Sequence, residues 1–416
     1  MNFFINKMSN EKASESKPKD VWSHIKEVPG DPILTVNLEY KEDTFPQKVN
    51  LLIGCYQDEN GNPYTLKCVK KAQEKFIKNE NHEYLPMKGL PEFCNNAIKL
   101  AYKSDFKYLN RIAKIQTLSG TGALRMGQKF LFLFYPFGKK VYYSNPTWAN
   151  HLAVTTGANL EIGQYRYYDK KTRGIDFEGM TEDLKNLEKN SIVLFHACAH
   201  NPTGVDLTHE QWEEILKIVK KREILPFFDM AYQGFASGDL DEDAYAVRLF
   251  ANAGINMLLA QSFAKNFGLY GERIGCLSIL TQSEEEKIAI ESNLQKIVRS
   301  EYSNPPKFGA VIVNTILSDE QLKKEWLEEL KMMSKRLIDM RILLKKELEK
   351  TGSKINWDNI TNQRGMFTFS GLTPEQTERL RNEFHIYMLK TGRISIPGLN
   401  PKNIEYVARA FHEVTK

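Results

Sequence analysis

MLLAQSFAKNFGLYGERIG, residues 257–275, opens on an apolar run, turns polar at Gln261 and sets Lys265 among small and aromatic neighbours. The run 257–260 is short enough for a buried strand. Three more segments share the design: 224–228 leads into DMAYQGF, 192–195 into HACAHNPTG, and 141–143 into SNPTWANH. Amphipathic stretches such as 211–222 lie between them. This alternation of strand and helix predicts an α/β fold, with a mostly parallel sheet covered by helices. Ligands in such folds bind beyond the carboxyl ends of the strands, where all four polar segments stand.

Composition narrows the classes. Of 416 residues, 42% are hydrophobic and 26% charged, an ordinary globular mix that disfavours disorder. Lys and Arg number 57 against 52 Asp and Glu, an excess too small to mark a nucleic-acid binder, though a local basic pocket for an anion stays open. The greasiest run, 130–137, is too short to span a membrane and is flanked by lysines. Cys55, Cys68, Cys94, Cys198 and Cys276 are scattered without CxxC spacing. Neither a disulfide framework nor a metal site is expected, and a reducing compartment, the cytoplasm, is favoured. Residues 1–20 read as a disordered leader, with order expected from Val21.

Each polar segment has a plain reading beside a chemical one. SGTG at 119–122 is either a simple helix-entry turn or a phosphate cradle at a helix N-terminus. It is no dinucleotide fingerprint, because Arg125 stands at the third glycine position. Lys265, taken alone, is a solvated charge; delivered by a buried strand, it is poised to lose its proton and act as a nucleophile, with Ser262 and Arg273 beside it to hold a phosphate. Asp229 is a helix N-cap or a carboxylate for a ring nitrogen, with Tyr232 three residues on. Asn201 is aimed by the turn that Pro202 restrains. Structural hydrogen bonds are favoured for His151, His196 and His200, and a core position for Trp148. Beyond 318, apolar residues at steps of three and four predict a helix to about residue 350. A capping box of Ser318 and Gln321 would start it, and its roughly 48 Å could bridge two domains.

Together these segments resemble the aspartate aminotransferase family, within the fold type I pyridoxal-phosphate (PLP) enzymes. The matching strings are DPIL at Asp31, QTLSGTGALR at Gln116, SNPTWANH, FHACAHNPTG, FDMAYQGF, SFAKNFGLYGERIG, YSNPP at Tyr302, RGMFTFSGL at Arg364 and GRISIPGLN at Gly392. They occur in family order from about residue 30 to the end.

The resemblance implies a large domain at 62–332 with a mainly parallel seven-stranded sheet. A smaller domain would be built from 31–61 and 333–416, with an arm at 21–30. It implies PLP linked through Lys265, whose freed amine shuttles a proton, and Asp229 holding the pyridine nitrogen protonated. Asn201 and Tyr232 would bond the ring oxygen, Trp148 would stack on the ring, His151 would back the aspartate, and His196 would lie beneath the ring. Ser119, Gly120, Thr121, Ser262 and Arg273 would hold the phosphate. Tyr84 would reach it from the neighbouring subunit, with Ser303 and Asn304 nearby. Arg393 would clamp the α-carboxylate, Arg299 would reach the distal carboxylate across a homodimer interface, and Gly54 and Phe367 would complete the substrate site.

The implied reaction moves the amino group of L-aspartate to 2-oxoglutarate, with a broad-range aromatic aminotransferase as the alternative. Leu52 replaces a family glycine and Ala149 a proline, changes that bear on substrate breadth rather than on a catalytic group. A nicotinamide oxidoreductase is opposed by Arg125 and the SFAKN segment. A binding protein that has lost catalysis is opposed by the retention of Lys265, Asp229, Arg299 and Arg393 together.

Overall fold

The computed structural model describes residues 21–416 apart from 29, 53, 79 and 80; the expected leader at 1–20 lies outside them. Seven strands form the main sheet: β1 (Ile112–Leu118), β2 (Lys140–Asn145), β3 (Glu161–Arg166), β4 (Ile192–His196), β5 (Leu225–Met230), β6 (Met257–Ser262) and β7 (Ile274–Leu280). Their order is β1-β7-β6-β5-β4-β2-β3, and only β7 runs against its neighbours. The fold is therefore α/β with a mainly parallel sheet, as expected. Ile224 falls just before β5 rather than opening it.

Strand residues alternate between two apolar layers, as a pleat requires. Ile115, Tyr143, Leu194, Phe227, Ala260 and Leu277 pack with Leu124 and Leu131 of helix Ser119–Phe134 and with Leu294 of helix Glu284–Glu301. Ile112, Val193, Phe228, Leu259 and Cys276 face the other way, onto helices that include Pro91–Tyr102 and His209–Arg222. Every residue of β6 and β7 is buried. The strand that delivers Lys265 is thus fixed on both faces.

The long helix spans Glu320–Lys350. Its cap differs from the expected box: Asp319 accepts from the amides of Gln321 and Leu322, both at 3.1 Å, while Ser318 ends the preceding helix. A carboxylate satisfying two orphan amides at the positive helix end is the better cap. Near its start Trp326 stacks on Phe267 at 4.5 Å and donates to the Asn266 carbonyl at 2.8 Å, next to Lys265. Among the described residues, no helix is long and apolar enough to cross a membrane.

Helix Pro32–Glu42 leads into Val49–Asn50, which pairs in parallel with Ile386–Tyr387. Asp43 fastens this junction. Its carboxylate accepts from the Phe45 amide (2.8 Å) and the Tyr387 hydroxyl (2.8 Å), and faces His385 Nδ1 at 2.7 Å. These bonds, the Phe45 amide foremost, lower its pKa to about 2. The unfolded value is about 3.9, so the contribution is fully present above about pH 4 and is lost as pH falls towards 2. Asp43→Asn is expected to lower the urea midpoint at pH 7 and to lower it by only about half as much at pH 3, midway through the window. Equal gaps at both pH values would show that the charge contributes nothing.

Candidate active site

Strands β1, β2, β4, β5 and β6 deliver their carboxyl ends to one edge of the sheet, at a cavity of about 380 Å3. That volume suits a small cofactor with its substrate. Ser119, Gly120, Thr121, Trp148, His196, Asn201, Asp229, Tyr232, Ser262, Lys265, Arg273, Gly54, Phe367 and Arg393 all line it. The scattered sequence segments therefore converge on one place.

Lys265 sits in a stiff loop. The Phe263 amide bonds the Ile274 carbonyl at 2.9 Å, and Gly268, at φ +63°, returns its amide to the Lys265 carbonyl at 3.1 Å. Lys265 Nζ donates to the Gly54 carbonyl at 2.8 Å and lies 5.1 Å from the Tyr270 ring centroid. Burial, with Arg273 and Arg393 as like charges, brings the amine down to about 8. A neutral, nucleophilic amine is within reach at ordinary pH.

One end of the cavity is a cradle of hydroxyls and helix-end amides. Helix Ser119–Phe134 points its first turn there with no side-chain cap. Ser119 and Ser262 hydroxyls lie 3.0 Å apart, and the Ser119 amide bonds the Arg273 carbonyl at 3.0 Å. The approach is close enough that a Cβ on Gly275 would fall 2.4 Å from the Ser119 carbonyl carbon. SGTG thus opens the helix, as its plain reading has it, and its first turn stands beside the paired hydroxyls of Ser119 and Ser262.

At the other end Asp229 lies within β5, so it is no helix N-cap. It belongs to a directional chain of hydrogen bonds. The Asn201 amide donates to His196 Nδ1 (3.1 Å), leaving His196 Nε2 to donate to Thr147 Oγ1 (3.3 Å). Thr147 then donates to His151 Nδ1 (2.9 Å), and His151 Nε2 donates to Asp229 Oδ2 (3.0 Å). Burial and the neighbouring His151 hold the His196 pKa down at about 3, consistent with a neutral link. His200 is tied instead to Ser144 (2.8 Å) and Thr203 (2.7 Å). The structural role favoured for the three histidines is what their bonds show, but for His151 and His196 it serves the site. Trp148 lines the cavity while packing against the core, and meets His151 edge-on at 5.2 Å.

Arg393 is 4% exposed. Its Nη2 donates to the Leu52 carbonyl at 2.9 Å, its guanidinium lies 4.1 Å from the Phe367 ring centroid, and its Nε is buried without a partner. Asn201 Oδ1 is likewise buried and unpartnered. Such groups are costly unless a ligand satisfies them. Burial lowers the Arg393 pKa to about 10 and raises that of Tyr232. Gly54 leaves room where a Cβ would come 2.9 Å from Phe367. Leu52, in the family glycine's place, is buried and is not among the residues with positive φ, so the backbone there needs no glycine.

Tyr84, Arg299, Ser303 and Asn304 are not brought to this cavity. Tyr84 is 83% exposed; Arg299 bonds Ser303, and Asn304 Nδ2 holds the Leu85 carbonyl at 2.6 Å. These four form a separate surface group. Conversely, Ile33, Cys55, Cys198 and Tyr270 line the cavity without having been singled out. Ile33, Cys198 and Tyr270 lie inside the quoted strings DPIL, FHACAHNPTG and SFAKNFGLYGERIG, and only Cys55 stands outside them. Thr147, four residues before His151 in SNPTWANH, was also missed.

The family model for class I and II aminotransferases matches residues 46–411. A mitochondrial aspartate aminotransferase of Dictyostelium discoideum is 50% identical over 398 residues, covering 95% of this chain and 93% of its own. That of Xenopus tropicalis is 49% identical, covering 97% and 95%. Among solved structures, an aromatic-amino-acid aminotransferase of Burkholderia pseudomallei covalently bound to pyridoxal phosphate superposes with a TM-score of 0.93. It is 42% identical, over 96% of this chain and all of its own. The cytoplasmic aspartate aminotransferase of Saccharomyces cerevisiae gives 0.92 at 43% identity, over 95% and 98%. With the lysine, the Ser119–Ser262 cradle and the Asp229 carboxylate in one cavity, these matches show that the chain belongs to the class I and II aminotransferase family.

Proposed function

We propose that the chain is a PLP-dependent aspartate aminotransferase, moving the amino group of L-aspartate to 2-oxoglutarate by a ping-pong route that yields oxaloacetate and L-glutamate. The observation that carries this is a buried amine of lowered pKa, Lys265, in one cavity with an acid-backed ring site at Asp229 and a partly unpartnered guanidinium at Arg393.

The site fits the cofactor. Ser119, Gly120, Thr121, Ser262 and Arg273 would take its phosphate, Asp229 its ring nitrogen, and the side-chain N–H of Asn201 with the Tyr232 hydroxyl would donate to its ring oxygen. Bound there, PLP supplies an electrophilic carbon and an electron-withdrawing ring. The protein's own groups do the rest. Lys265 Nζ would take the proton from the substrate Cα and deliver it to the cofactor's electrophilic carbon, as a general acid–base. The Asp229 carboxylate, kept oriented by the His151–Thr147–His196 chain, holds a proton on the facing nitrogen. Arg393 fixes the α-carboxylate, and Trp148 and Phe367 wall the pocket against water.

The distal carboxylate is assigned to Arg299 of a second copy, in a homodimer with shared sites, and Tyr84 to the second copy's phosphate. Supporting this, the surface group of Tyr84, Arg299, Ser303 and Asn304 is coherent, and Trp22 (72%) and Val28 (79%) of the 21–30 arm are exposed apolar residues in search of cover. The domain division follows the family's: 62–332 as the large domain, and 31–61 with 333–416 as the small one. The pairing of Val49–Asn50 with Ile386–Tyr387 supports it. All five cysteines are free, which favours a reducing compartment, the cytoplasm; against it stand the two relatives named as mitochondrial.

The test is the visible absorption spectrum of the PLP-loaded protein before and after L-aspartate. The cofactor band is expected to move to shorter wavelength with aspartate and to return with 2-oxoglutarate. A band that ignores aspartate would overturn the assignment. The solved aromatic relative makes phenylalanine the comparison: equal kcat/KM for phenylalanine and aspartate would replace the aspartate reading with the broad-range one.

A further inference from the structure

Arg341, on the long helix, is 3% exposed yet does not line the cavity. Its Nη1 donates to the Ile360 carbonyl (2.9 Å) and to Thr368 Oγ1, and its Nη2 to the carbonyls of Gly365 (2.9 Å) and Phe367 (2.7 Å). All four acceptors are neutral and all belong to one strap, residues 360–368. A guanidinium buried against neutral oxygens is an expensive way to hold a loop. Its planar fork, however, fixes several oxygens at once in a way no single ammonium can. Burial lowers its pKa to about 9, with Asp206 as the opposing charge.

The strap is locked to a second loop. The Arg364 amide bonds the Gly204 carbonyl at 2.7 Å. A Cβ on Gly365 (φ +79°) would fall 2.4 Å from Ala199 Cβ, and one on Gly204 (φ +71°) 2.7 Å from the Phe367 carbonyl oxygen. Asp206 in turn accepts from the amides of Ala199 (2.7 Å) and His200 (2.9 Å). Two buried opposite charges thus each hold one of two interlocked loops. Asp206 holds the loop presenting Asn201, and Arg341 the strap presenting Phe367, whose ring lies against the Arg393 guanidinium and the face of Gly54.

We propose that Arg341 is a positioning residue for the carboxylate end of the site: by fixing the 360–368 strap it sets Phe367, and through Phe367 the direction of Arg393. This rests on the reading of Arg393 as the substrate-carboxylate ligand. Because Arg341 does not touch the cradle at Ser119–Thr121 and Ser262, its removal weakens dicarboxylate binding and leaves PLP binding in place.

The experiment is calorimetric titration of succinate, a four-carbon dicarboxylate with no amino group to transfer, into PLP-loaded wild type, Arg341→Lys, Phe367→Ala and the double variant. Arg341→Lys is expected to raise the succinate Kd about tenfold or more, with PLP affinity within about twofold of wild type. The double variant should be no weaker than the weaker single one, since both act through one contact. Thr368→Val, which removes one acceptor only, should raise Kd by a smaller factor and serves if Arg341→Lys does not fold. An unchanged Kd in a folded variant, an additive double variant, or PLP affinity lost in step with succinate would overturn the proposal. Wild type that fails to bind succinate would instead overturn the underlying reading of Arg393, and this proposal with it.

Discussion

Lys265→Ala is expected to bind PLP and to lose transamination by about 10^4-fold or more, the upper range for removing a positioned acid–base group. The cofactor's other anchors are independent of the lysine. The cradle rests on Ser119, Ser262 and Arg273, and Asp229 is oriented by its own chain through His151, Thr147 and His196. The lysine's contribution, by contrast, has no substitute nearby. Among the residues lining the cavity it alone pairs an amine with a lowered pKa, and the hydroxyls of Tyr232 and Tyr270 are pushed further from titrating at neutral pH by their burial. Loss of a ligand to the Gly54 carbonyl is a minor cost, since the 52–56 segment is also held by Arg393 at Leu52 and by Tyr270, whose hydroxyl accepts from the Tyr56 amide at 2.9 Å. The variant is therefore expected to fold. Activity is read as single-turnover conversion of aspartate, with added methylamine as a small external base. Partial rescue by the amine, with a rate that rises with its free-base concentration, is expected. Turnover near that of the parent protein would remove Lys265 from the chemistry.

The catalytic groups were legible because each sits immediately after a short apolar run, and in a mostly parallel sheet those runs end at one edge. That logic points to Lys265, Asp229 and Asn201, whereas SGTG is marked by its small residues ahead of an apolar helical pattern. It sets four of the seven strands, β2, β4, β5 and β6, to within two residues at either end. What it missed depends on tertiary placement. Ile33 and Cys55 come to the cavity on either side of Val49–Asn50, which pairs with Ile386–Tyr387, far away in sequence. Thr147 is unremarkable until two imidazoles close on its hydroxyl. Arg341 reads as one more cation on an amphipathic helix, and only the return of the strap over it reveals why it is buried. Tyr84 and Arg299 mark the opposite limit: their motifs point to a site that a single chain does not assemble.

Arg393→Ala is expected to lower kcat/KM for aspartate by about 10^2- to 10^3-fold, with Arg393→Lys recovering only part of it. Truncating one member of a buried charge pair costs about 2–5 kcal/mol, and about 1.4 kcal/mol is tenfold in rate or affinity. The middle of that range applies because the guanidinium is prepared for a ligand. It is almost fully buried, pinned at Nη2 by the Leu52 carbonyl and flanked by Phe367, while its Nε has no acceptor. The lowering of its pKa to about 10 by burial means that the fold bears a cost to keep the charge there, and an arriving carboxylate offsets it. Lysine would retain the charge and lose the planar two-point grip. The same reasoning says that alanine should not destabilise the ligand-free protein much, since it removes an under-satisfied buried cation. An unchanged melting temperature beside a collapsed kcat/KM is thus the expected pair of results. The control is an amine substrate that lacks the α-carboxylate, whose slow reaction should be indifferent to the substitution. If that reaction falls in parallel with aspartate turnover, Arg393 supports the site as a whole and the carboxylate must be held elsewhere.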